Sequence, residues 1–289
     1  MYPPRFDYVA PTNVDEVLAV LAQRGDEAKV LAGGQSLIPM MKLRFAFPEL
    51  LVDVNRVPGL DAIDDADGHL RVGALVRHND VVGSDVVTRA NHTMAAAAPW
   101  ISDPLVRNLG TVCGSLAHAD PLGDWGSVML ACGADVVARS TSGERVIPMD
   151  DFITGPFTTA LEPTELVTEV RVPKYAGTGG GSYLKLERKV GDYATVGVAA
   201  RLDFDGGGTI TNAGIALTSV APNNIRAPDA ERVLVGQAPS DALFAEAAEL
   251  TARAAQPKDD VRGSVEFKRN VVRVFTRRAL TTALEHARA

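Results

Sequence analysis

The sequence LAGGQSLIPMMKLR, residues 31–44, places two adjacent glycines between an apolar run and a polar pair. Paired glycines occur where the backbone takes a positive φ or closely approaches another group. AKVLA, 28–32, is a short buried-strand candidate just before them, and Gln35 and Ser36 follow with backbone N–H groups and a hydroxyl. Such a loop after a strand can form a nest for an anion such as a pyrophosphate. A tight glycine turn without a ligand explains the pattern equally well.

A second loop, RNLGTVCGSLAHADPLGDW at 107–125, contains the same ingredients. Its small residues and hydroxyls are Gly110, Thr111, Gly114 and Ser115. Two such loops can clamp one extended diphosphate, although neither matches the phosphate-loop pattern GxxxxGK[ST] or the dinucleotide pattern GxGxxG. Asp120 and Asp124 follow in the same stretch. A carboxylate there can accept hydrogen bonds from sugar hydroxyls, but helix capping is the preferred interpretation for Asp120.

Length and composition are those of an ordinary globular protein. The chain has 289 residues, 46% of them hydrophobic and 22% charged, with a net charge of −7. This length fits one large domain or two, and the absence of a long basic run argues against a nucleic-acid surface. The N-terminus lacks the apolar core of a secretory signal, and the most apolar stretch, 128–138, is too short for a membrane helix. We therefore predict a cytoplasmic protein.

The sequence contains few candidates for metal binding or nucleophilic catalysis. Cys113 and Cys132 form no CxxC pair, so a disulfide framework, a zinc site and a self-contained iron–sulfur cluster are not expected. His118 and Asp120 supply too few ligands for a structural zinc site. Cys113 is interpreted as a small packing residue because no basic residue stands next to it to lower its pKa. We assign no catalytic side chain and no metal ligand.

The N-terminal 55 residues are predicted to alternate as helix, strand, loop and strand. Thr12 is the predicted N-cap of the helix, and Gly25 ends it. LLVDV at 50–54 is the second strand after AKVLA. The next predicted elements are a strand at HLRVGAL (69–75), a helix at MAAAAPW (94–100) and strands at ADVVARS, ERVIPM and ELVTEVRVP. Arg107 either meets a phosphate or pairs with Asp103 at helical spacing.

The run GTGGGS, 177–182, is the most flexible stretch of the sequence and is interpreted as a hinge or linker. We place a domain boundary there, and the alternative is a mobile hairpin tip within one domain. The predicted domains are 1–176, with subdomains at about 1–55 and 56–176, and 177–289. Three extended runs and two helices, 182–189, 195–204, 210–220, 241–255 and 265–289, make the second domain a small sheet with covering helices.

Four segments, in this order, resemble the FAD-binding medium subunits of the xanthine dehydrogenase family of molybdenum hydroxylases, and within that family the carbon monoxide dehydrogenase branch. They are AGGQSLIPMMKLR (32–44), VRNLGTVCGSLAHADPLGD (106–124), ELVTEVRVP (165–173) and YLKLERKVGDYATVGVAA (183–200). The resemblance runs nearly end to end. It implies an α+β fold in which two subdomains of the vanillyl-alcohol-oxidase type grip FAD, followed by a small α+β C-terminal domain with an antiparallel sheet and helices.

The resemblance also implies roles for individual residues. The first pyrophosphate loop comprises Ala32, Gly33, Gly34, Gln35, Ser36 and Leu37, and the second comprises Thr111, Val112, Cys113, Gly114 and Ser115. Asp124 is similar to the residue that holds the sugar of FAD, and Leu166 or Val167 to an apolar contact of the adenine or flavin. Lys185 matches a lysine near the flavin, and Tyr193, preceded by Asp192, a tyrosine against the isoalloxazine.

Two positions depart from the family pattern. Cys113 stands where the second loop commonly has a glycine, so the loop is expected to differ locally if that position needs a positive φ. Gln35 stands where His is also common. Neither change removes a backbone donor, and we expect FAD binding to survive both.

The implied activity is electron transfer. A large subunit with a molybdenum cofactor oxidises the substrate, a small subunit passes electrons through two [2Fe–2S] clusters, and this chain passes them from FAD to an acceptor. The expected assembly is a dimer of heterotrimers. Two alternatives remain: a stand-alone FAD-dependent oxidase, and a flavin-binding assembly subunit without a redox role. Carbon monoxide, aldehydes, N-heterocycles and purines all remain candidate substrates, and the electron acceptor is equally undecided.

Overall fold

The computed structural model describes residues 2–289 and contains three main sheets, arranged in chain order. The first sheet is parallel and three-stranded, with the strand order β1–β3–β2. Its elements are β1 (Asp7–Val9), α1 (Val14–Arg24), β2 (Ala28–Leu31), α2 (Leu37–Lys42) and β3 (Leu50–Asp53). The strands predicted at 28–32 and 50–54 are confirmed as β2 and β3, whereas β1 and α2 were not predicted.

The N-cap of α1 is one residue later than predicted. The side chain of Asn13, rather than Thr12, accepts a hydrogen bond from the Glu16 N–H at 2.9 Å. The Thr12 N–H donates in turn to the Glu16 carboxylate at 2.9 Å. Gly25 ends the helix with φ 49°, as predicted. The reciprocal bonds of a capping box are therefore present, but they are shared between two neighbouring residues.

The second sheet is five-stranded and antiparallel, in the order β4–β5–β10–β6–β7. Its strands are β4 (Ile63–Ala66), β5 (His69–Gly73), β6 (Asp135–Ser140), β7 (Gly143–Pro148) and β10 (Leu166–Pro173), with a hairpin of β8 (Ile153–Gly155) and β9 (Thr158–Thr159) beside them. Its helices are α3 (His78–Val81), α4 (Asp85–Ala90), α5 (His92–Ala97), α6 (Pro104–Arg107), α7 (Val112–His118), α8 (Asp124–Cys132) and α9 (Met149–Phe152). The strands and the helix predicted for this region are confirmed.

Helix α8 is the largest element of this region that the sequence did not predict. Every one of its residues is buried, from Asp124 to Cys132. A helix that is buried all round has no polar face, so its sequence shows no helical alternation. Together with α5, it packs against the strands of the third sheet.

The third sheet is four-stranded and antiparallel, in the order β11–β12–β13–β14. Its elements are β11 (Thr178–Leu186), β12 (Val196–Phe204), β13 (Ile210–Thr218), β14 (Ile225–Arg226), α10 (Pro228–Leu234), α11 (Asp241–Ala254) and α12 (Val265–Arg288). Helices α11 and α12 confirm the two predicted C-terminal helices. Helix α12 packs against β11 and β12, and α11 packs against α12, so the predicted combination of a small sheet and helices is also confirmed.

The interpretation of GTGGGS as a flexible linker is wrong, because residues 178–182 form the first half of β11. The glycines serve close packing instead. A Cβ at Gly180 would overlap the Ala283 carbonyl of α12, and a Cβ at Gly181 would lie 2.9 Å from the backbone nitrogen of Thr93 in α5. The strand is therefore wedged between two helices. The domain bounds themselves remain a prediction.

No helix within residues 2–289 is both long and apolar enough to cross a membrane. The cytoplasmic location remains a prediction.

Candidate cofactor-binding site

The two predicted pyrophosphate loops lie against each other, backbone to backbone. A Cβ at Gly33 would overlap the Leu109 carbonyl oxygen and would lie 2.7 Å from the Gly110 Cα atom. Only glycine permits this approach, because any side chain would force the two loops apart. The first sheet and the second sheet thus contribute one loop each to a single junction. That the two glycine-bearing loops clamp one diphosphate remains a prediction.

The first loop presents backbone donors at this junction. Gly34 has φ 70°, which turns the chain from β2 into α2. Within residues 2–289, the backbone N–H groups of Gln35, Ser36 and Leu37 donate no hydrogen bond. The Gln35 side chain points back to its own loop, where its amide donates to the Gly33 carbonyl at 3.1 Å. Consecutive free N–H groups after a positive-φ residue suit an anionic oxygen, so these residues fit a diphosphate.

The second loop enters α7 without backbone strain. The Thr111 hydroxyl caps the helix by accepting from the Gly114 N–H at 3.0 Å. Val112 and Cys113 are buried in the core, whereas Gly114 is exposed and Ser115 is half-buried. Of these four residues, only Gly114 and Ser115 therefore face outward.

The position of Cys113 does not require a positive φ, so the reason for expecting a local difference there does not apply. It lies within α7 and is not among the non-glycine residues with positive φ. Burial raises the pKa of its thiol to about 12, so the group stays protonated and unreactive at neutral pH. The interpretation as a packing residue agrees with this environment.

A chain of hydrogen bonds that the sequence did not reveal ties the two loops together. The Asn55 side chain donates to the Ala32 carbonyl at 2.9 Å and accepts from the Arg77 guanidinium. Arg77 also donates to the Leu109 carbonyl at 2.6 Å. Asn55 follows β3 and Arg77 immediately precedes α3, and neither has a motif around it. Their role depends on contacts between distant segments, which sequence patterns do not encode.

His78 connects the second loop to helix α8 through two hydrogen bonds. Its backbone N–H donates to the Gly110 carbonyl at 2.9 Å, and its ring Nδ1 accepts from the Trp125 indole at 3.0 Å. Burial, with smaller contributions from Arg107 and Arg77, lowers the pKa of His78 to about 4. The ring is therefore neutral at pH 7 and carries its proton on Nε2.

This burial predicts an acid-sensitive contribution of His78 to stability. The folded-state pKa lies below the ordinary value of 6.5, so the unfolded chain binds the proton more readily between pH 6.5 and about 4. The contribution of neutral His78 to the free energy of unfolding is complete above pH 6.5. It is lost as the pH falls through the folded-state pKa of about 4, and the total loss is about 3 kcal/mol. We expect the unfolding free energy of the wild type to fall more steeply between pH 7 and pH 4 than that of His78→Gln. The unfolding free energies of both proteins are measured in urea at pH 7, 5.5 and 4. An equal loss of free energy with falling pH in the two proteins would contradict this prediction.

Asp124 lies in a buried ion pair at the boundary between α8 and β11. Its Oδ2 lies 3.0 Å from the Lys185 Nζ, and its Oδ1 accepts from the Tyr183 hydroxyl at 2.5 Å. The Lys185 ammonium also donates to the Trp100 carbonyl at 2.9 Å. Burial raises the pKa of the Asp124 carboxyl, and the ammonium of Lys185 opposes that shift. Both oxygens of Asp124 are thus engaged within the protein, and its contact with a cofactor sugar remains a prediction.

Tyr193 is held on the connection between β11 and β12 with its ring half-exposed, at 49% of full accessibility. The Asp192 carboxylate accepts from the Tyr193 N–H at 2.8 Å and pairs with Arg188 and Arg262. Burial and the nearby Asp120 raise the pKa of the Tyr193 phenol. The structure therefore brings Tyr193 close to the segment that follows the second loop, while Asp192 anchors the connection.

Two local interpretations from the sequence are wrong. Asp120 caps no helix, since its carboxylate accepts from the Leu122 N–H at 2.9 Å and closes a turn between α7 and α8. Of the two alternatives for Arg107, the pair with Asp103 is wrong, because Arg107 Nη1 donates to the carbonyls of Pro99, Ile101 and Ser102. Its contact with a phosphate remains a prediction. Asp103 instead caps α6 through the Val106 N–H.

Leu166 and Val167 lie in the core at the start of β10, with 4% and 7% of their surface exposed. Val167 pairs with Ala138 of β6 across the sheet. Their proposed contact with the adenine or flavin remains a prediction.

The chain matches two family descriptions. Residues 4–175 match the FAD binding domain in molybdopterin dehydrogenase, and residues 181–283 match the CO dehydrogenase flavoprotein C-terminal domain. The carbon monoxide dehydrogenase medium chain of Hydrogenophaga pseudoflava is 41% identical over 98% of both chains. The 6-hydroxypseudooxynicotine dehydrogenase complex subunit alpha of Paenarthrobacter nicotinovorans is 38% identical over 100% of this chain and 97% of that protein.

Structural similarity is equally extensive. The carbon monoxide dehydrogenase of H. pseudoflava that lacks the Mo-pyranopterin moiety of its molybdenum cofactor superposes with a TM-score of 0.94 and 42% identity, covering 99% of both chains. The predicted fold class, an FAD-binding domain followed by a small α+β domain, is confirmed, and so is FAD as the cofactor.

Proposed function

This chain belongs to the family of FAD-binding subunits of molybdopterin dehydrogenases, and we propose that it is the electron-transfer subunit of a molybdenum hydroxylase complex. Bound FAD supplies the capacity to accept electrons and pass them on. Electrons would come from the [2Fe–2S] clusters of a small partner subunit and leave to an external acceptor. The substrate would be oxidised in a large subunit that holds the molybdenum cofactor.

The observation that carries this proposal is the junction of the two glycine loops. Gly33 lies against Gly110 in backbone contact, and the N–H groups that follow in the first loop are free to receive an anionic oxygen. The diphosphate of FAD is the anion that family membership provides. We assign the binding of this diphosphate to the backbone N–H groups of residues 34–37 and to the outward-facing Gly114 and Ser115.

The other half of the cofactor is assigned to side chains near the third sheet. Tyr193 offers a half-exposed aromatic ring that can stack on a planar heterocycle. Lys185 offers a fixed positive charge, because Asp124 and the Trp100 carbonyl hold its ammonium in place. These residues orient the cofactor and set its electrostatic surroundings. No acid, base or nucleophile of this chain is assigned to the substrate.

The substrate class stays open within this proposal. The two relatives are named for carbon monoxide and for 6-hydroxypseudooxynicotine, yet their identities to this chain, 41% and 38%, are similar. This is expected if the substrate pocket lies in another subunit. A dimer of heterotrimers is the assembly we propose, by analogy with multi-subunit relatives.

We expect the isolated chain to bind about one FAD, which dithionite reduces but candidate substrates do not, because electrons need an entry route through partners. The test is anaerobic. The purified chain is mixed with carbon monoxide, aldehydes or N-heterocycles while the flavin absorbance is followed, and the experiment is repeated with the molybdenum and iron–sulfur subunits present. Only the second series should bleach the flavin.

Other outcomes assign other functions. Bleaching by a substrate without partners would favour a stand-alone oxidase or dehydrogenase. A chain that forms the complex but whose flavin no substrate ever reduces would favour an assembly subunit without a redox role.

A further inference from the structure

The C-terminal helix α12 carries a concentration of positive charge that the chain as a whole does not share. The helix contains six Lys or Arg residues and only two Glu, whereas the net charge of the chain is −7. Arg269, Arg273 and Arg277 follow one another at four-residue spacing, so they form one row along the helix. Like charges at this spacing repel each other and weaken a helix. Helix stability therefore does not explain the row.

Most of this charge has no acidic partner within the chain. Arg269 and Arg277 are exposed, and among residues 2–289 their guanidinium groups form no salt bridge and no hydrogen bond. Arg273 is only partly engaged, because it pairs with Glu249 of α11 and donates to the Asn270 side chain at 3.1 Å. The row thus keeps free guanidinium donors that point away from the protein.

Two adjoining surface grooves run along the row of arginines. The larger, of about 550 Å³, lies over the first turns of α12, and the smaller, of about 340 Å³, lies between α11 and α12. Arg269 and Arg273 line both grooves, and the exposed Arg253 of α11 lines the second. A guanidinium presents its N–H groups as a planar fork that matches a carboxylate in two parallel hydrogen bonds. The grooves are therefore suited to acidic groups.

Apolar side chains are exposed beside the arginines. Phe267 is 46% and Val274 is 37% exposed, and their seven-residue spacing places both on one side of α12, next to the row. A small phosphate compound would use the arginines but would leave these side chains in water. A combination of arginines with an exposed aromatic residue is typical of the surfaces through which proteins bind one another.

A nucleic acid fits this surface poorly. Glu249 and Glu266 line the grooves among the arginines and would repel a continuous phosphate backbone. Separate carboxylates on a protein surface can instead be placed so that they meet the arginines and avoid the two glutamates. The charge pattern therefore favours an acidic protein over a polyanion.

We propose that the face formed by Arg269, Arg273, Arg277, Phe267 and Val274 docks an acidic surface of a partner subunit. Carboxylates of that subunit would pair with the free arginines, while its apolar side chains would cover Phe267 and Val274. This inference rests on the proposed function, since it requires a complex with other subunits. The face contains none of the residues assigned to FAD, so docking can be weakened without loss of the flavin.

The test measures the affinity of the FAD-loaded chain for the purified molybdenum and iron–sulfur subunits at low and at high salt. Arg269→Glu/Arg277→Glu should weaken binding by about 100-fold or more at low salt, because two charge pairs across the interface become repulsive. The loss should be smaller at high salt, where the charges are screened. Phe267→Ala should weaken binding by about tenfold at both salt concentrations, since its contact is apolar. All variants should keep wild-type flavin content and circular dichroism.

Lys29→Glu/Arg89→Glu is the matched control, because both residues are exposed and neither forms a salt bridge in the part of the chain that the structure describes. Wild-type affinity in Arg269→Glu/Arg277→Glu overturns the proposal. An equal loss in the control also overturns it, since net charge alone would then explain the effect. Binding of inorganic pyrophosphate that depends on Arg269, with unchanged affinity for the subunits, would assign the grooves to a small anion instead. A wild-type chain that binds neither subunit contradicts the proposed function.

Discussion

Gly33→Ala is expected to give a folded protein that has lost most of its FAD. The added Cβ would overlap the Leu109 carbonyl and lie 2.7 Å from the Gly110 Cα, well inside ordinary van der Waals contact. Both obstacles are backbone, so the loops must separate rather than a side chain rotate. If two hydrogen bonds to the diphosphate are lost, at about 1.5 kcal/mol or more each, affinity falls by about 100-fold or more.

Gly206→Ala is the control for this prediction. Gly206 lies in a loop where a Cβ meets nothing within 4 Å and φ is not positive, so the same chemical change there is harmless. Flavin content per chain and FAD affinity are measured for both variants, with circular dichroism as the test of folding. Normal flavin content in a folded Gly33→Ala protein would show that the junction of the loops does not hold the diphosphate.

The sequence was informative where chemistry and local geometry coincide. Gly33, Gly34 and Thr111 were identified because glycines and small hydroxyl residues in a short loop have meaning within a few residues of chain. Lys185 was singled out from a charged strand by family resemblance, and the structure buries it. In each case the local pattern or the motif order carried the information.

The residues that the sequence did not reveal act across long distances in the chain. Asn55 and Arg77 connect loops that are more than 70 positions apart, and no local pattern distinguishes them from ordinary surface polar residues. Helix α8 was missed because complete burial removes the alternation on which helix prediction depends.

Glycine caused the largest misinterpretation for a related reason. The run at 177–182 is equally compatible with a flexible linker and with a strand that helices approach closely. A glycine-rich sequence shows that side chains are absent, but it does not distinguish flexibility from close packing. The overlap of a Cβ at Gly180 with the backbone of α12 settles the choice in favour of packing. The same residue type thus permits the close approach of two loops at Gly33 and the close packing of a helix at Gly180.

Lys185→Met is expected to destabilise the protein without FAD by about 3 kcal/mol or more, because it leaves the carboxylate of Asp124 buried without its cation. The ion pair is almost completely enclosed, with 1% of the Lys185 side chain and 6% of the Asp124 side chain exposed. Breaking such a pair from one side costs more than replacing both members, since the remaining charge has no access to water. The measurement is the free energy of unfolding in urea for the FAD-free chain.

The double variant Lys185→Met/Asp124→Asn separates this explanation from simple loss of packing. Asn still accepts the hydrogen bond of Tyr183 but carries no charge, so nothing ionised remains buried. The double variant should therefore be more stable than Lys185→Met alone, and the two single effects should not add. Additive losses below about 1 kcal/mol each, as found for exposed pairs, would contradict a buried ion pair. Because the pair joins α8 to β11, coupling in the FAD-free chain would also mean that the second and third sheets are already fixed to each other before the cofactor binds.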